Sequence, residues 1–483
     1  MFADLHMHST NSDGSNLTSD MVKRYYNLGF DVLAMTDHNY LTTSWDNVAR
    51  GALSAADKAA IENGTFAGSG ERVQTNGMIG FDNTNEQSHT DHINTFWAPF
   101  NNTTANLNDT LNKALELGGI SRLNHPGRYT GGVAGGTTGT NASNNAAHIA
   151  KYVNIFNTYP NCVGMEIINK LDNESRSDRI LWDNILKQTM PEGRGVWGFS
   201  DDDSHSTSAA GYSFNIMLMP ELTQAAVRTA METGAFYAVS RVDRREGINA
   251  SAPAAGDGST LYLLSQPTPY ITDITVAGSV ITVTGEDYIE IEWIADGEKI
   301  ATGATININD YADVVDSYVR AQLKSSTGIA FLQPFGVTFK EADPEAEAVI
   351  DQIDRLPESI TLSDKEAVTD AREAYDALTE QQQAFVTNIG ALEAAEAAIA
   401  ALETETSDAV ISQPEITSAI NSETTSNINS TTETESKQTT TSAADDNNQS
   451  PKTGDQINLY IGVAFISLLV AAVVLKRKNC IDL

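Results

Sequence analysis

The chain has 483 residues, of which 30 are basic and 64 acidic, for a formal charge of −34. That balance excludes a general electrostatic grip on nucleic acid, and the length allows about three domains with cores of their own. Two cysteines far apart, Cys162 and Cys480, exclude a disulfide framework and leave the redox compartment unread.

Residues 1–250 alternate apolar runs with helical patterns. Strands are expected at 2–6, 31–36, 65–71, 93–98, 120–123, 163–168, 196–200 and 235–240. Thr18 can cap a helix over 20–28, and Ser54 one that stops near Gly64. A helix over 107–117 stops at Gly118-Gly119. Ser177 can cap 178–188, and a helix over 223–233 stops at Gly234. This alternation predicts an α/β fold, either a (β/α) barrel or an open parallel sheet.

The first strand delivers Asp4-Leu5-His6-Met7-His8-Ser9, followed by Ser12-Asp13-Gly14. Side chains two apart on an extended chain share a face, so His6 and His8 can grip one ion. His38, His125 and His205 also fall at or just past expected strand ends, and His92 just before one. In a parallel β/α fold those ends share the face that carries active sites. Asp13, Glu71 and Asp203 fall there too.

As an ordered set these motifs resemble the PHP family, the polymerase and histidinol phosphatase domain. The matching pieces are His6-Met7-His8-Ser9 with Asp13-Gly14, Thr36-Asp37-His38, Glu71, Asp91-His92-Ile93-Asn94, Asn124-His125-Pro126, Glu166 and Asp203-Ser204-His205. The resemblance implies a distorted, TIM-like (β/α)7 barrel holding two or three divalent metals. One metal would take His6, His8, Glu71 and Asp203; a second Glu71, His92 and His125; a third Asp13, His38 and His205. Glu71 would bridge the first two. Glu62 and Glu86 rival Glu71, His89 rivals His92, and Asp201 and Asp202 rival Asp203. His148, in a polar helix over 144–152, reads as a surface residue. Imidazole with carboxylate suits Zn, Mn or Fe better than Ca or Mg, and no thiolate is at hand for a structural zinc site.

Adjacent dications turn a shared water into hydroxide near neutral pH and polarise a phosphoryl oxygen. The expected reaction is therefore phosphoester hydrolysis by a metal-bridging hydroxide. Glu71 and Asp203 would hold the centre. Arg128 is either a phosphate contact or a solvated loop arginine. Asp37 and Glu166 would orient ligands, unless Glu166 touches substrate. The alternatives are hydrolysis of a carboxylic ester or amide, and a surface adhesin that keeps a metal-stabilised barrel as scaffold.

From Thr268 the pattern has period two, with Ile289, Ile291 and Trp293 alternating with Glu290 and Glu292. Asp296-Gly297 signals a hairpin, and 318–323 and 335–339 add strands. A small β-sandwich is expected over 265–340, as a lid or a carbohydrate binder. Helical spacing over 342–403, with capping-box pairs Ser363/Glu366 and Thr379/Gln382, predicts a three-helix module. It resembles the spacer modules of Gram-positive surface proteins.

Residues 404–449 are rich in Ser, Thr, Asn and Glu, lack aromatics, and read as a disordered linker. Over 450–483, Ser450-Pro451-Lys452-Thr453-Gly454 precedes an apolar run at 459–475 and Lys476-Arg477-Lys478. As helix that run spans about 26 Å, a short membrane crossing with a cytoplasmic basic tail. The segment resembles a sortase sorting signal with Ser450 in place of Leu. The resemblance implies cleavage after Thr453 and attachment of Thr453 to peptidoglycan; the alternative is a plain tail anchor. A wall-anchored chain needs an export signal, so an upstream segment is expected before Phe2.

Overall fold

The computed structural model describes residues 1–67, 77–89, 91–101, 106–130, 143–253, 258–338, 343–357, 359–383 and 385–411. They fall into an N-terminal unit ending at Lys340 and a C-terminal unit beginning at Glu341, each described by itself.

Strand β1 (Phe2–Asp4) pairs in parallel with β2 (Val32–Leu33), Ala3 opposite Val32. Helix α1 (Thr18–Asn27) joins them. Its Met21, Val22, Tyr25 and Tyr26 recur one turn apart and are buried, the stripe an amphipathic helix presents to a core. Thr18 is the first helical residue rather than the cap; Leu17 precedes it with no side-chain bond. Ser54 does cap α2 (Ala55–Glu62), accepting from the Asp57 amide.

The next strands differ from expectation. Residues 65–67 are not strand, and 68–71 lie outside the described residues. Two unexpected short strands follow, β3 (Ile79–Gly80) and β4 (Asn85–Gln87). All three residues of β4 are buried although none is apolar, so hydrophobic periodicity carries no trace of it. Strands β5 (Ile93–Phe96), β6 (Ile120–Leu123), β7 (Cys162–Asn169) and β8 (Trp197–Asp201) come next, then β9 (Ser213–Met217), also unexpected, and β10 (Phe236–Ser240). Helices α3 (Leu107–Glu116), α4 (Ala146–Thr158), α5 (Asp178–Thr189) and α6 (Gln224–Thr233) lie between them.

Two sheets result, and neither is wholly parallel. In one, β3, β2 and β1 are parallel, while β9 runs antiparallel to both β1 and β10. In the other, β4, β5 and β6 are antiparallel, and β6, β7 and β8 parallel. Isolated bridges join the sheets at Met7–Ser204 and His38–Glu86.

The sandwich expected over 265–340 is not a body apart. β11 (Tyr270–Ala277), β12 (Val280–Glu286) and β15 (Thr305–Asn307) form a three-stranded sheet. β13 (Glu290–Ala295), β14 (Glu298–Thr302), β16 (Tyr318–Lys324), β17 (Ile329–Leu332) and β18 (Phe335–Gly336) instead extend the first sheet. β17 pairs with β10, Tyr237 opposite Leu332. One apolar cluster runs from Ala3 and Leu5 to Trp293 and Val319. Buried Asp183 on α5 accepts from Tyr318 (2.6 Å) and is forked by Arg320 (2.8 and 2.9 Å). The division expected at 250 therefore cuts through a shared core.

In the C-terminal unit, helices over Pro344–Asp354, Lys365–Ala377 and Ile389–Ile411 bury Val349, Ile353, Val368, Ala371, Leu392 and Ile399 together. Thr379 and Gln382 cap each other reciprocally. The other capping box is Thr361/Asp364, not Ser363/Glu366. The last helix runs to Ile411, past the linker boundary expected at 404. The remaining linker and the whole 450–483 segment lie outside the described residues. Among the described residues no helix is long and apolar enough to cross a membrane.

Candidate metal centre

The end of β1 sorts its side chains by alternation. Leu5 and Met7 enter the apolar core, while His6 and His8, both fully buried, face the opposite way. Backbone bonds hold this stretch: Leu5 N–H donates to Asp201 Oδ1 (2.7 Å), His6 N–H to Asp4 Oδ1 (3.1 Å) and His8 N–H to the Ser204 carbonyl (2.8 Å). Asp37 accepts from Ser9 N–H (2.6 Å), Ser9 Oγ (2.8 Å) and Ser12 Oγ (2.8 Å), which folds the next turn back. Gly14 fits there because a Cβ would stand 2.7 Å from the His8 carbonyl oxygen. Asp13 thereby comes within 3.9 Å of His8 Nδ1, 3.6 Å of His38 Nε2 and 3.2 Å of His205 Nε2.

The structure brings together His6, His8, Asp13, His38, His92, His125, Asp203 and His205. Glu71 lies outside the described residues. Glu86, its rival in the sequence, occupies the middle. Its Oε1 is 3.3 Å from His6 Nε2, 2.8 Å from His92 Nδ1 and 3.9 Å from His125 Nε2. Its Oε2 is 2.6 Å from His38 Nδ1 and 3.4 Å from His8 Nε2. Asp203 Oδ1 is 3.0 Å from His8 Nε2 and 3.6 Å from His6 Nε2. His89 is exposed, and neither it nor His148 joins a ligand group.

The surrounding polar residues fix ring orientation. His6 Nδ1 donates to Glu166 Oε1 (2.6 Å), leaving Nε2 towards Glu86 and Asp203. His205 Nδ1 faces the Asp203 carbonyl (2.9 Å). Glu166 Oε2 accepts the His125 amide (2.9 Å), holding His125 at a left-handed φ of 29°. Beneath lies Arg122, fully buried, bonded to Glu166 Oε1 (3.2 Å) and to Asp201. Arg128 stands on the rim in an ion pair with Glu174 (3.2 Å).

His8 and His125 have charge states that suit a donor set, whereas His6 and His38, whose imidazoles are raised, would give up a proton on binding a metal. Burial pushes the His125 imidazole down to about 3 and lowers His8, so both stay neutral. Burial also opposes charge on His6, but Asp203, Glu166 and Glu86 outweigh it and raise that imidazole. His6 and His92 hold Glu86 well below the usual carboxylate range despite burial, and His6 and Lys170 do the same for Asp203.

These residues fit divalent ions. Both ring nitrogens of His8 and of His125, Nδ1 of His38 and of His92, and Glu86 Oε2 are buried without a hydrogen bond among the described residues. Buried polar atoms without partners are costly. Here ligand atoms crowd within 4.8 Å of one another in overlapping groups. Cations in these overlapping groups would give partners to one atom of each of these side chains.

Sequence reasoning held Glu86 only as a rival to Glu71, and it did not single out Lys170, Tyr129 or Arg122. Glu86 sits on β4, a short polar strand, yet it pairs opposite Asn94 in the hairpin that carries His92. Lys170, whose Nζ is 3.1 Å from Asp203 Oδ2, follows the end of β7, so the strand-end signal that collects the histidines also points to it. Tyr129 stacks beside His92 and His125, ring centroids 5.4 and 5.6 Å away. Arg122 has no sequence signal, because its partners are remote in the chain.

The fold and donor set define an α/β protein with a multi-ligand metal centre. Residues 4–156 match the family model of the PHP domain, a stretch that contains every assembled ligand except Asp203 and His205. Comparison with curated proteins finds no match. Among solved structures, the chain is similar to a two-domain protein from Bacteroides vulgatus containing a predicted PHP-like metal-dependent phosphoesterase. The identity is 14%, with 70% of this chain and 88% of that one covered and a TM-score of 0.36. It is also similar to an amidohydrolase from Chromobacterium violaceum, at 16% identity, 42% and 87% coverage and a TM-score of 0.28. A lesion-specific endonuclease from Pyrococcus furiosus is similar at 13% identity, 48% and 55% coverage and a TM-score of 0.28.

Proposed function

We propose that this chain is a metal-dependent phosphoesterase. The observation that carries the reading is the set of buried, unbonded ligand atoms gathered around Glu86, within and just beyond the PHP-domain match. His6, His8 and Asp203 would hold one ion with Glu86, His92 and His125 a second with Glu86, and Asp13, His38 and His205 a third. Donors of imidazole and carboxylate favour Zn, Mn or Fe. Strand pairing supports a distorted seven-membered ring of β1, β2 and β4 to β8, closed by the two isolated bridges.

Divalent ions held there would lower the pKa of a coordinated water and polarise a phosphoryl oxygen. The chain's own residues prepare that site. Glu166 fixes the His6 tautomer, Asp37 holds the turn that carries Asp13, and burial keeps His8 and His125 neutral. Arg128 on the rim would fork onto substrate oxygens once released from Glu174.

The test uses the full chain, purified with Mn or Zn, metal content measured, against nitrophenyl phosphate and nitrophenyl acetate. Turnover of the phosphate is expected. Turnover of the acetate alone would move the assignment to carboxylic esters, and metal binding without turnover of either would leave a scaffold.

The chain is further proposed to be displayed on a Gram-positive cell wall, joined to peptidoglycan at Thr453 by a sortase after transient anchoring through 459–475. The sequence around Pro451-Lys452-Thr453-Gly454 supports this. Wall-released protein ending at Thr453 is the expected mass-spectrometric result; protein from the membrane fraction still carrying Leu483 would refute it.

A further inference from the structure

Asp203 divides its two oxygens between the centre and the mouth. Oδ1 faces His6, His8 and His205. Oδ2 accepts from Asn169 Nδ2 (3.3 Å) and pairs with Lys170 Nζ (3.1 Å). The Lys170 side chain is 33% exposed and its Nζ reaches Asp203, so the residue links the centre to solvent. Its backbone is held there at a φ of 56°, a left-handed conformation unfavourable for a residue with a side chain. Two bonds impose it: the Lys170 N–H donates to the Asp201 carbonyl (3.0 Å), and its own carbonyl accepts from Ser213 Oγ (2.5 Å). Backbone strain that aims a cation over a cluster of acids calls for a use beyond packing.

An ammonium has three donors, and Asp203 Oδ2 takes one. Arg128 and Glu174 share the electrostatic neighbourhood of Lys170, and Arg128 is paired with Glu174 at 3.2 Å. Around Lys170 the rim thus carries two cations and one acid, with Asp13 a further exposed acid of the centre, whereas the wall below is built of Glu86, Glu166 and Asp203.

We propose that Lys170 contacts the substrate: its ammonium meets a terminal phosphoryl oxygen, with Arg128 beside it, so that the site selects phosphomonoester dianions over diesters. The inference rests on the phosphoesterase reading and names its substrate class. A monoester offers three non-bridging oxygens and a second negative charge; a diester replaces one of those oxygens with a neutral ester group that Lys170 cannot pair.

The test compares the full-length wild type with Lys170→Gln and Lys170→Arg, each loaded with Mn. The readouts are metal content, kcat and KM for nitrophenyl phosphate and bis(nitrophenyl) phosphate, and calorimetric binding of inorganic phosphate. Losing one charge-assisted hydrogen bond weakens an interaction by about 10- to 100-fold. Lys170→Gln is expected to keep its metal and lose that factor in kcat/KM on the monoester and in phosphate affinity. It should change little on the diester, and Lys170→Arg should recover part of the loss. Equal losses on both esters, loss of metal, or unchanged phosphate affinity would each overturn the proposal, because Lys170 would then act only through Asp203 or not at all. If the wild type hydrolyses neither ester, the phosphoesterase reading fails by itself. Phosphate calorimetry then still decides whether Lys170 binds the anion.

Discussion

Replacing Glu86 with Gln removes one negative charge while keeping the side chain's shape. The carboxylate lies 2.6 Å from His38 Nδ1, 2.8 Å from His92 Nδ1 and 3.3 Å from His6 Nε2, and is fully buried. It is the one residue that the proposed first and second ions share, and it also touches His38 of the third set. A single charged partner in such a site contributes roughly 1.5–3 kcal/mol. Glu86 acts through both oxygens, which places the loss at about 3 kcal/mol or more and metal affinity at least about 100-fold down. The assay is competition for Zn or Mn against a chromogenic chelator on the full chain, with Glu71→Gln as the paired control. Affinity unchanged in Glu86→Gln, or a greater loss in Glu71→Gln, would refute the placement of Glu86 at the centre.

Glu166→Gln should weaken metal binding by about 10- to 100-fold in the same competition, since Glu166 orients His6 at 2.6 Å without being a proposed ligand; an unchanged value would show that the His6 ring is held by packing alone. Removing metal with a chelator should lower the thermal midpoint of the N-terminal unit. At ligand about 1,000 times its Kd the linkage is about 4 kcal/mol, and calorimetry with and without Mn checks it. The pH dependence of stability has a separate source in Asp243. Burial raises its carboxyl to about 6 from an ordinary 3.8, against the pull of Arg179, and its Oδ2 is buried without a hydrogen bond among the described residues. A raised folded pKa means that the group's stabilising contribution is complete below 3.8 and is lost as pH rises through 6. Relative to Asp243→Asn, the wild type should therefore lose stability in urea titrations between pH 4 and pH 7; a gain over that window would reverse the assignment. Trp182→Ala should cost about 3–5 kcal/mol in the same titrations, because the ring is fully buried and its indole N–H donates to the Val196 carbonyl.

The sequence by itself determined the chemistry of the donors and where most of them stand along the chain. Alternation on a strand dictates that His6 and His8 share a face while Leu5 and Met7 take the other, and that is local stereochemistry. Strand ends marked by apolar runs located His38, His125, Asp203 and His205 for the same reason. Tertiary structure alone decided which acid sits among them. Glu86 lies on a strand with no apolar residue, which is buried where it pairs with β5, His38 bridges to it and Asn124 bonds its carboxylate at 2.8 Å. Buried polar groups are compensated by partners far away in the chain, so they leave no period to read. Arg122, held by Asp201 and Glu166, and Lys170, aimed by its backbone at Asp203, belong to the same class. The reach of β13 and β16 to β18 into the first sheet was equally invisible, since alternation reports that a strand has one buried face but not which edge it will pair with.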